Sequence, residues 1–148
     1  MAETGLHIFD KTLHETNIWL KDMMNELGTE DRHRAYRILK GVLHVVRDRL
    51  TVTEAQKFAA QMPMLIRGFY YEGWRPSDVP TRLRHKEEFL EHVEEKLADL
   101  RRGGADFDIE KATAAALKVM EKHITRGEIE DVIQQMPKHL KDMWPQVH

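Results

Sequence analysis

Four residues in the second half of the chain have the spacing of a metal site. His85, Glu88, His92 and Glu95 recur at intervals of three and four, so a helix through them carries all four on one face. Such a face could bind zinc or iron if a second helix supplied further ligands. The HExxH motif and the paired ExxH motifs of di-iron bundles are both missing. A solvated acidic helix face explains the same residues, so we expect no metal and no cofactor.

The stretch at residues 61–76, QMPMLIRGFYYEGWRP, is the most aromatic part of the sequence. It contains four aromatic residues within six positions: Phe69, Tyr70, Tyr71 and Trp74. Its aromatic and basic side chains are of the kind that bind a peptide, a base or a planar ligand. The predicted binding surface consists of Arg67, Tyr71, Trp74 and Arg75. The alternative is that Tyr71 and Trp74 wedge two halves of the chain together, and the sequence leaves both interpretations open.

Catalytic chemistry has little support in the sequence. The serine next to an acid, Ser77, is not within a Gly-x-Ser-x-Gly elbow, and the chain has no Walker loop and no dinucleotide glycine pattern. There is no cysteine, which excludes disulfides and a cysteine nucleophile. Carboxylate pairs are common, but none has an obviously apolar surround that would raise its pKa. We therefore predict that the protein is not an enzyme.

Nucleic-acid binding is the first alternative function, and metal binding is the second. Residues 50–60 faintly resemble the entry to a helix-turn-helix, and a small basic cluster follows at residues 82–86. The next helix, however, carries Met64, Leu65 and Ile66 where a reading helix needs Arg, Asn or Gln. The formal net charge of −2 also provides no general attraction for phosphate. We expect a protein partner, with nucleic acid unlikely, and a homodimer is compatible with the sequence.

Composition places the chain among ordinary globular domains. It has 148 residues, of which 41% are hydrophobic and 32% charged. No apolar run approaches the ~18 residues that a membrane span needs. The N-terminal residues lack the basic-then-apolar order of a signal peptide. We therefore expect a single cytoplasmic domain with no membrane association.

Helical periodicity and capping residues divide the chain into about eight helices. We expect helices at residues 7–27, from Asp31, at 54–61 and from Pro63, and then at 86–100, from Asp108, at 128–135 and at 137–144. Thr53 is the predicted cap of the third, and Gly127 a predicted turn. Thr12 and Glu15 predict a capping box inside the first. Gly41 interrupts the apolar stripe of the second, which indicates close approach of another helix.

The two halves of the chain are similar at an offset of 74 residues. Residues 42–70 align with residues 116–144 without a gap, and seven of these 29 positions are identical. Unrelated segments would share about two. We predict an all-α single domain, residues 1–148, built from pseudo-repeated four-helix halves at residues 7–74 and 85–146. Residues 75–84 form the linker, and the halves are expected to pack together because each is short of core.

The runs VLHVVRDRL, QMPMLIRGFYYEGWRP and EEFLEHV resemble the bacterial and archaeal family known as domain of unknown function number 2267. The resemblance covers roughly residues 7–144. It implies an all-helical fold and a prokaryotic origin, and it implies no activity. In the second half, Lys138, His139 and Asp142 replace Met64, Leu65 and Gly68, so we expect only the first half to carry the function of the aromatic stretch. We predict a non-enzymatic binding or regulatory module.

Overall fold

The computed structural model describes residues 4–145, and all regular secondary structure in that range is helical. The helices are α1 (His7–Leu27), α2 (Arg32–Asp48), α3 (Val52–Ala60), α4 (Met64–Tyr71), α5 (Lys86–Lys96), α6 (Ala98–Arg102), α7 (Ile109–His123), α8 (Arg126–Gln134) and α9 (Lys138–Lys141). A short 3-10 helix, Pro76–Asp78, follows α4. The all-α prediction is confirmed. Residue 146, the predicted end of the second half, lies outside the described residues.

Several helix ends agree with the sequence prediction. Gly28 ends α1 with a φ of 68°, a left-handed conformation that glycine adopts without steric cost. Asp31 caps α2, because its Oδ1 accepts a hydrogen bond from the backbone N–H of Arg34 at 3.0 Å. Asp108 caps α7 in the same way through Lys111. These caps depend on residues close in sequence, which is why the pattern identifies them.

The predicted start of the third helix was wrong. Thr51, and not Thr53, caps α3, since its hydroxyl oxygen accepts from the backbone N–H of Glu54 at 3.2 Å. Thr125 caps α8 through Glu128 in the same manner, at 3.3 Å. Gly127 therefore lies inside α8 and not in a turn.

The predicted capping box in the first helix was also wrong. The hydroxyl of Thr12 accepts a hydrogen bond from the backbone N–H of Leu65 at 2.8 Å. Thr12 therefore supplies a cap to the N-terminus of α4 from a different helix. The fifth predicted helix is divided at Leu97, whose ψ of 11° departs from helical geometry, and the last helix is shorter than expected.

The core forms where α1, α2 and α7 pack against one another, with α5 against α2 and α7. Gly41 of α2 lies against Lys96 and Leu97, at the C-terminal end of α5. A Cβ atom on Gly41 would lie only 3.3 Å from Cδ2 of Leu97, so the predicted close approach is confirmed. Leu97 is itself fully buried. A side chain at position 41 would require Leu97 to move by a few tenths of an ångström.

Helices α3 and α8 meet on one side of the molecule, and their ends are linked reciprocally. The side-chain oxygen of Gln135 accepts from the backbone N–H of Thr51 at 3.2 Å, and that of Gln61 accepts from Thr125 at 3.5 Å. The two helices begin 74 residues apart, as the alignment requires. The duplication itself stays a prediction.

Candidate functional site

The predicted binding surface consists of side chains in different environments. The guanidinium of Arg67 donates to the carbonyl oxygens of Ala59 at 3.2 Å and Met62 at 3.1 Å, which lie at and just after the C-terminal end of α3. The side chain of Arg75 is 81% exposed, with Asp78 at 3.9 Å. Arg67 therefore has a role within the fold, whereas Arg75 projects into solvent. Whether either one binds a ligand stays a prediction.

Three aromatic residues of the stretch, together with Phe58 of α3, form a row that runs outward from the core. Ring centroids of Phe58 and Tyr70 are 5.9 Å apart, those of Tyr70 and Tyr71 are 5.2 Å apart, and those of Tyr71 and Trp74 are 5.3 Å apart. The buried hydroxyl of Tyr70 donates to the carbonyl oxygen of Ala55 at 2.9 Å, and burial raises its pKa. Tyr71 and Trp74 are half-buried against the core. The row is held mainly by packing.

A second surface of the first half was missed by the sequence prediction. Helices α1 and α4 enclose an elongated apolar depression, which we call the α1–α4 groove. It consists of two adjoining cavities of about 360 and 370 Å³ that share Leu65 and Gly68. The residues that define the groove are Phe9, Leu13, Thr16, Leu65 and Gly68. Its position depends on Thr12, whose hydroxyl joins the two helices.

Gly68 leaves open space in the middle of this groove. A Cβ atom built on Gly68 meets no heavy atom within 4 Å, in contrast to the tight contact at Gly41. Glycine within a helix costs about 1 kcal/mol relative to alanine. Internal packing therefore explains the glycine at position 41 and does not explain the one at position 68.

The corresponding part of the second half carries charged residues. Seventy-four residues beyond Tyr36 and Gly68 lie Glu110 and Asp142, which line a smaller cavity of about 210 Å³ between α5 and α7. Lys86 forms an ion pair with Glu110 at this cavity. At the predicted offset of 74 residues, charged groups therefore stand where the first half has its apolar groove.

A family comparison identifies what kind of chain this is. The model of the DUF2267 family, described as an uncharacterized conserved protein, matches residues 16–143. The chain belongs to the DUF2267 family. No curated protein matches it. The match includes the whole of α4 and begins within α1, so Phe9 and Leu13 of the groove precede the matched part of this DUF2267 chain.

The metal candidate of the DUF2267 chain is engaged in helix capping. One carboxylate oxygen of Glu88 accepts from the backbone N–H groups of Arg84 and His85, both at 3.0 Å, and these hydrogen bonds lower its pKa. The ring of His85 stacks on that of His139, and Nδ1 of His92 lies 3.0 Å from the carbonyl oxygen of Glu88. Within residues 4–145, no group of three or more His, Asp or Glu side chains, Glu95 included, is placed to hold a metal ion.

In the region compared with a helix-turn-helix, α3 is buried on one face and the next helix, α4, begins with an apolar face. Helix α3 buries Ala55 and Phe58 and packs against α8, so it lies within the fold. The first turn of α4 exposes Met64 and Leu65, which offer no hydrogen bonds to base edges.

In the described part of the chain, no helix is both long enough and apolar enough to cross a membrane.

Proposed function

We propose that this DUF2267 protein is a non-enzymatic helical interaction module that pairs with a second copy of itself through the α1–α4 groove. The proposal replaces the surface around Arg67, Tyr71, Trp74 and Arg75 as the first candidate for a contact with protein. We keep the expectations of a cytoplasmic location and a prokaryotic origin as part of the proposal.

The clustering of exposed apolar side chains is the observation on which the proposal depends. Eight large hydrophobic residues are exposed within residues 4–145, and six of them lie towards the N-terminal ends of α1 and α4: Leu6, Ile8, Phe9, Leu13, Met64 and Leu65. Phe9 is 48% exposed and Leu65 is 44% exposed. Covering such a patch removes apolar surface from water, which is favourable. Contiguous exposed apolar patches commonly mark protein interfaces.

The arrangement on α4 favours a second copy as the occupant. Leu65 and Gly68 are three residues apart and therefore lie on the same face of the helix. A two-fold axis between these positions places Leu65 of each copy over Gly68 of the other. Each copy then supplies both a projecting side chain and an open position, which is the self-complementarity that an isologous interface needs.

The charges near the groove also favour an apolar partner. Glu72 is the acidic residue that lines it, and its carboxylate is 2.7 Å from the ammonium group of Lys40. That ion pair is internal to the chain, so a charged partner gains little from it. Pairing two apolar faces avoids burying an unpaired charge.

Replacing Gly68 by aspartate is expected to convert a dimer into a folded monomer. The carboxylate would occupy the open space of the groove and would be buried without a partner in the dimer, whereas in the monomer it is solvated. Light scattering after size-exclusion chromatography should give twice the chain mass of 17.4 kDa for the wild type and the chain mass for Gly68→Asp. The change introduces in the first half the residue that Asp142 supplies in the second.

Gly127→Asp is the matched control, because Gly127 also lies in a helix and also has no heavy atom within 4 Å of a built Cβ. This variant should remain dimeric. Circular dichroism should show unchanged helix content for both variants. A wild-type chain that remains monomeric up to about 100 μM, or a Gly68→Asp chain that dimerises as the wild type does, would contradict the proposal.

A further inference from the structure

Two acidic side chains face each other inside the contact between α3 and α8. Glu54 on α3 is 5% exposed and Glu128 on α8 is 7% exposed. Their carboxyl groups are neighbours, because the ammonium nitrogen of Lys57 lies within 4 Å of a carboxylate oxygen of each. The expectation that no carboxylate pair has an apolar surround is therefore wrong for this pair, which the fold assembles from residues 74 positions apart.

The donors around the pair are too few for two ionised carboxylates. The Oε2 atoms of both glutamates are buried without a hydrogen-bond partner. Oε1 of Glu54 accepts one long hydrogen bond from Gln135, at 3.4 Å. Buried carboxylates normally have their oxygens satisfied, since an unsatisfied charged group carries the full cost of desolvation. One proton placed between the two groups supplies the missing donor.

The charged or titratable groups that face the pair come from three helices. The ammonium group of Lys57 on α3 is 3.8 Å from Glu54 and 3.9 Å from Glu128, and it lies closer to Asp131 on α8, at 3.3 Å. The side chain of Lys57 is about half exposed, so solvent screens its attraction. Tyr70 on α4 also interacts with Glu128 and is neutral, because burial raises the pKa of its hydroxyl. The ammonium group of Lys57 is thus shared among three acids.

We propose that Glu54 and Glu128 share one proton and form a pH-sensitive contact that holds α3 against α8. While the proton is bound, the pair is a hydrogen bond between the two helices. When it is lost, two like charges remain in a buried space and repel each other. This device lies within one chain and does not depend on pairing with a second copy.

The pH range follows from the direction of the shift. Burial, followed by the hydrogen bond with Glu54, raises the pKa of Glu128 to about 8, from an ordinary value of 4.5. The folded chain then retains a proton that the unfolded chain has released. The stabilisation is complete below the unfolded pKa and is lost as the pH rises from about 4.5 through about 8. The contact is therefore strongest in acid and weakest in mild alkali.

The direct test is a carbon-13 NMR titration of the glutamate carboxyl groups in the full chain. One carboxyl resonance should titrate with a midpoint above 7, and it should be absent from the spectrum of Glu128→Gln. Amide hydrogen exchange, corrected for its intrinsic pH dependence, should be faster in α3 and α8 at pH 9 than at pH 6. If every glutamate titrates below pH 6 in the wild type, the proposal is overturned, and this result needs no variant to fold.

Glutamine variants give a second, independent measurement. Between pH 5 and pH 9, the melting temperature of the double variant Glu54→Gln/Glu128→Gln should fall less than that of the wild type. The difference between the two falls should be about 5 °C or more. Glu130→Gln is the matched control, because Glu130 lies on the same helix but is 51% exposed and paired with Arg126. It should retain the wild-type pH dependence. A double variant with that same dependence would overturn the proposal.

Discussion

Replacing Arg47 by alanine should lower the free energy of unfolding by about 3–5 kcal/mol. Arg47 is 1% exposed, although it carries a permanent charge. Its Nη1 donates to the carbonyl oxygens of Tyr70 at 2.6 Å and Glu72 at 2.8 Å, and its Nε donates to Asp48 at 2.8 Å. These carbonyls end α4, where the helix dipole also favours a cation. Alanine would leave them without a donor and would leave a cavity beside them.

Urea denaturation followed by circular dichroism measures this loss. Arg126→Ala is the control, because Arg126 is 83% exposed in its ion pair with Glu130 and should contribute less than about 1 kcal/mol. Arg47→Lys should fall between the two, since an ammonium group keeps the charge but lacks the planar fork that serves several acceptors at once. A loss of less than about 1 kcal/mol for Arg47→Ala would show that water satisfies the carbonyls of α4 instead.

Arg47 also shows what sequence patterns leave undetermined. It lies in the run VLHVVRDRL, whose apolar spacing predicts a buried helix and gives no reason for a fully buried charge. The partners that explain it are 23 and 25 residues away. Only the return of α4 to the end of α2 brings them together. The same is true of His44, whose buried ring donates to the carbonyl oxygen of Phe69 at 2.7 Å, and burial lowers its pKa to about 4.

The sequence predicted N-caps correctly where the N–H donor lies a few residues from the capping side chain. Asp31 and Asp108 cap the helices that follow them, because their donors are three residues away. The prediction for Thr12 was wrong because its hydroxyl accepts a hydrogen bond from the backbone N–H of Leu65, on another helix. The correct cap at Thr51 had a signal in the sequence, since Thr51-x-x-Glu54 recurs as Thr125-x-x-Glu128. A capping pattern that occurs twice, at the same offset in both halves, is stronger evidence than the single Thr53 pattern.

The aromatic stretch was a sound indicator of importance but not of role. Aromatic density within residues 61–76 predicts a functional surface or a packed one, and composition cannot separate the two. The fold turns Phe69 and Tyr70 inward and leaves Met64, Leu65 and Gly68 of the same stretch facing the α1–α4 groove. The groove needs α1 as its other wall, which periodicity within either helix does not specify.

Trp144→Ala should destabilise the protein by about 3–5 kcal/mol, which is the usual cost of removing a buried tryptophan. Trp144 is 2% exposed and belongs to the hydrophobic core, although the helix just before it, α9, has only four residues. A helix of that length has almost no stability of its own. The segment is therefore held by its buried side chains, and Leu140, 1% exposed, is the other one. The loss should appear in urea denaturation with an unchanged m-value if the unfolding remains two-state.

Trp74→Ala is the informative comparison, because it removes the same side chain from a half-buried position. Trp74 packs against Tyr71 at the outer end of the aromatic row, so its removal should cost about half as much as that of Trp144. Trp144 is then more important for stability than Trp74, although Trp74 lies in the aromatic-rich stretch. An equal or larger loss for Trp74→Ala would contradict this ranking. It would mean that the segment after α4 anchors the core more firmly than α9 does.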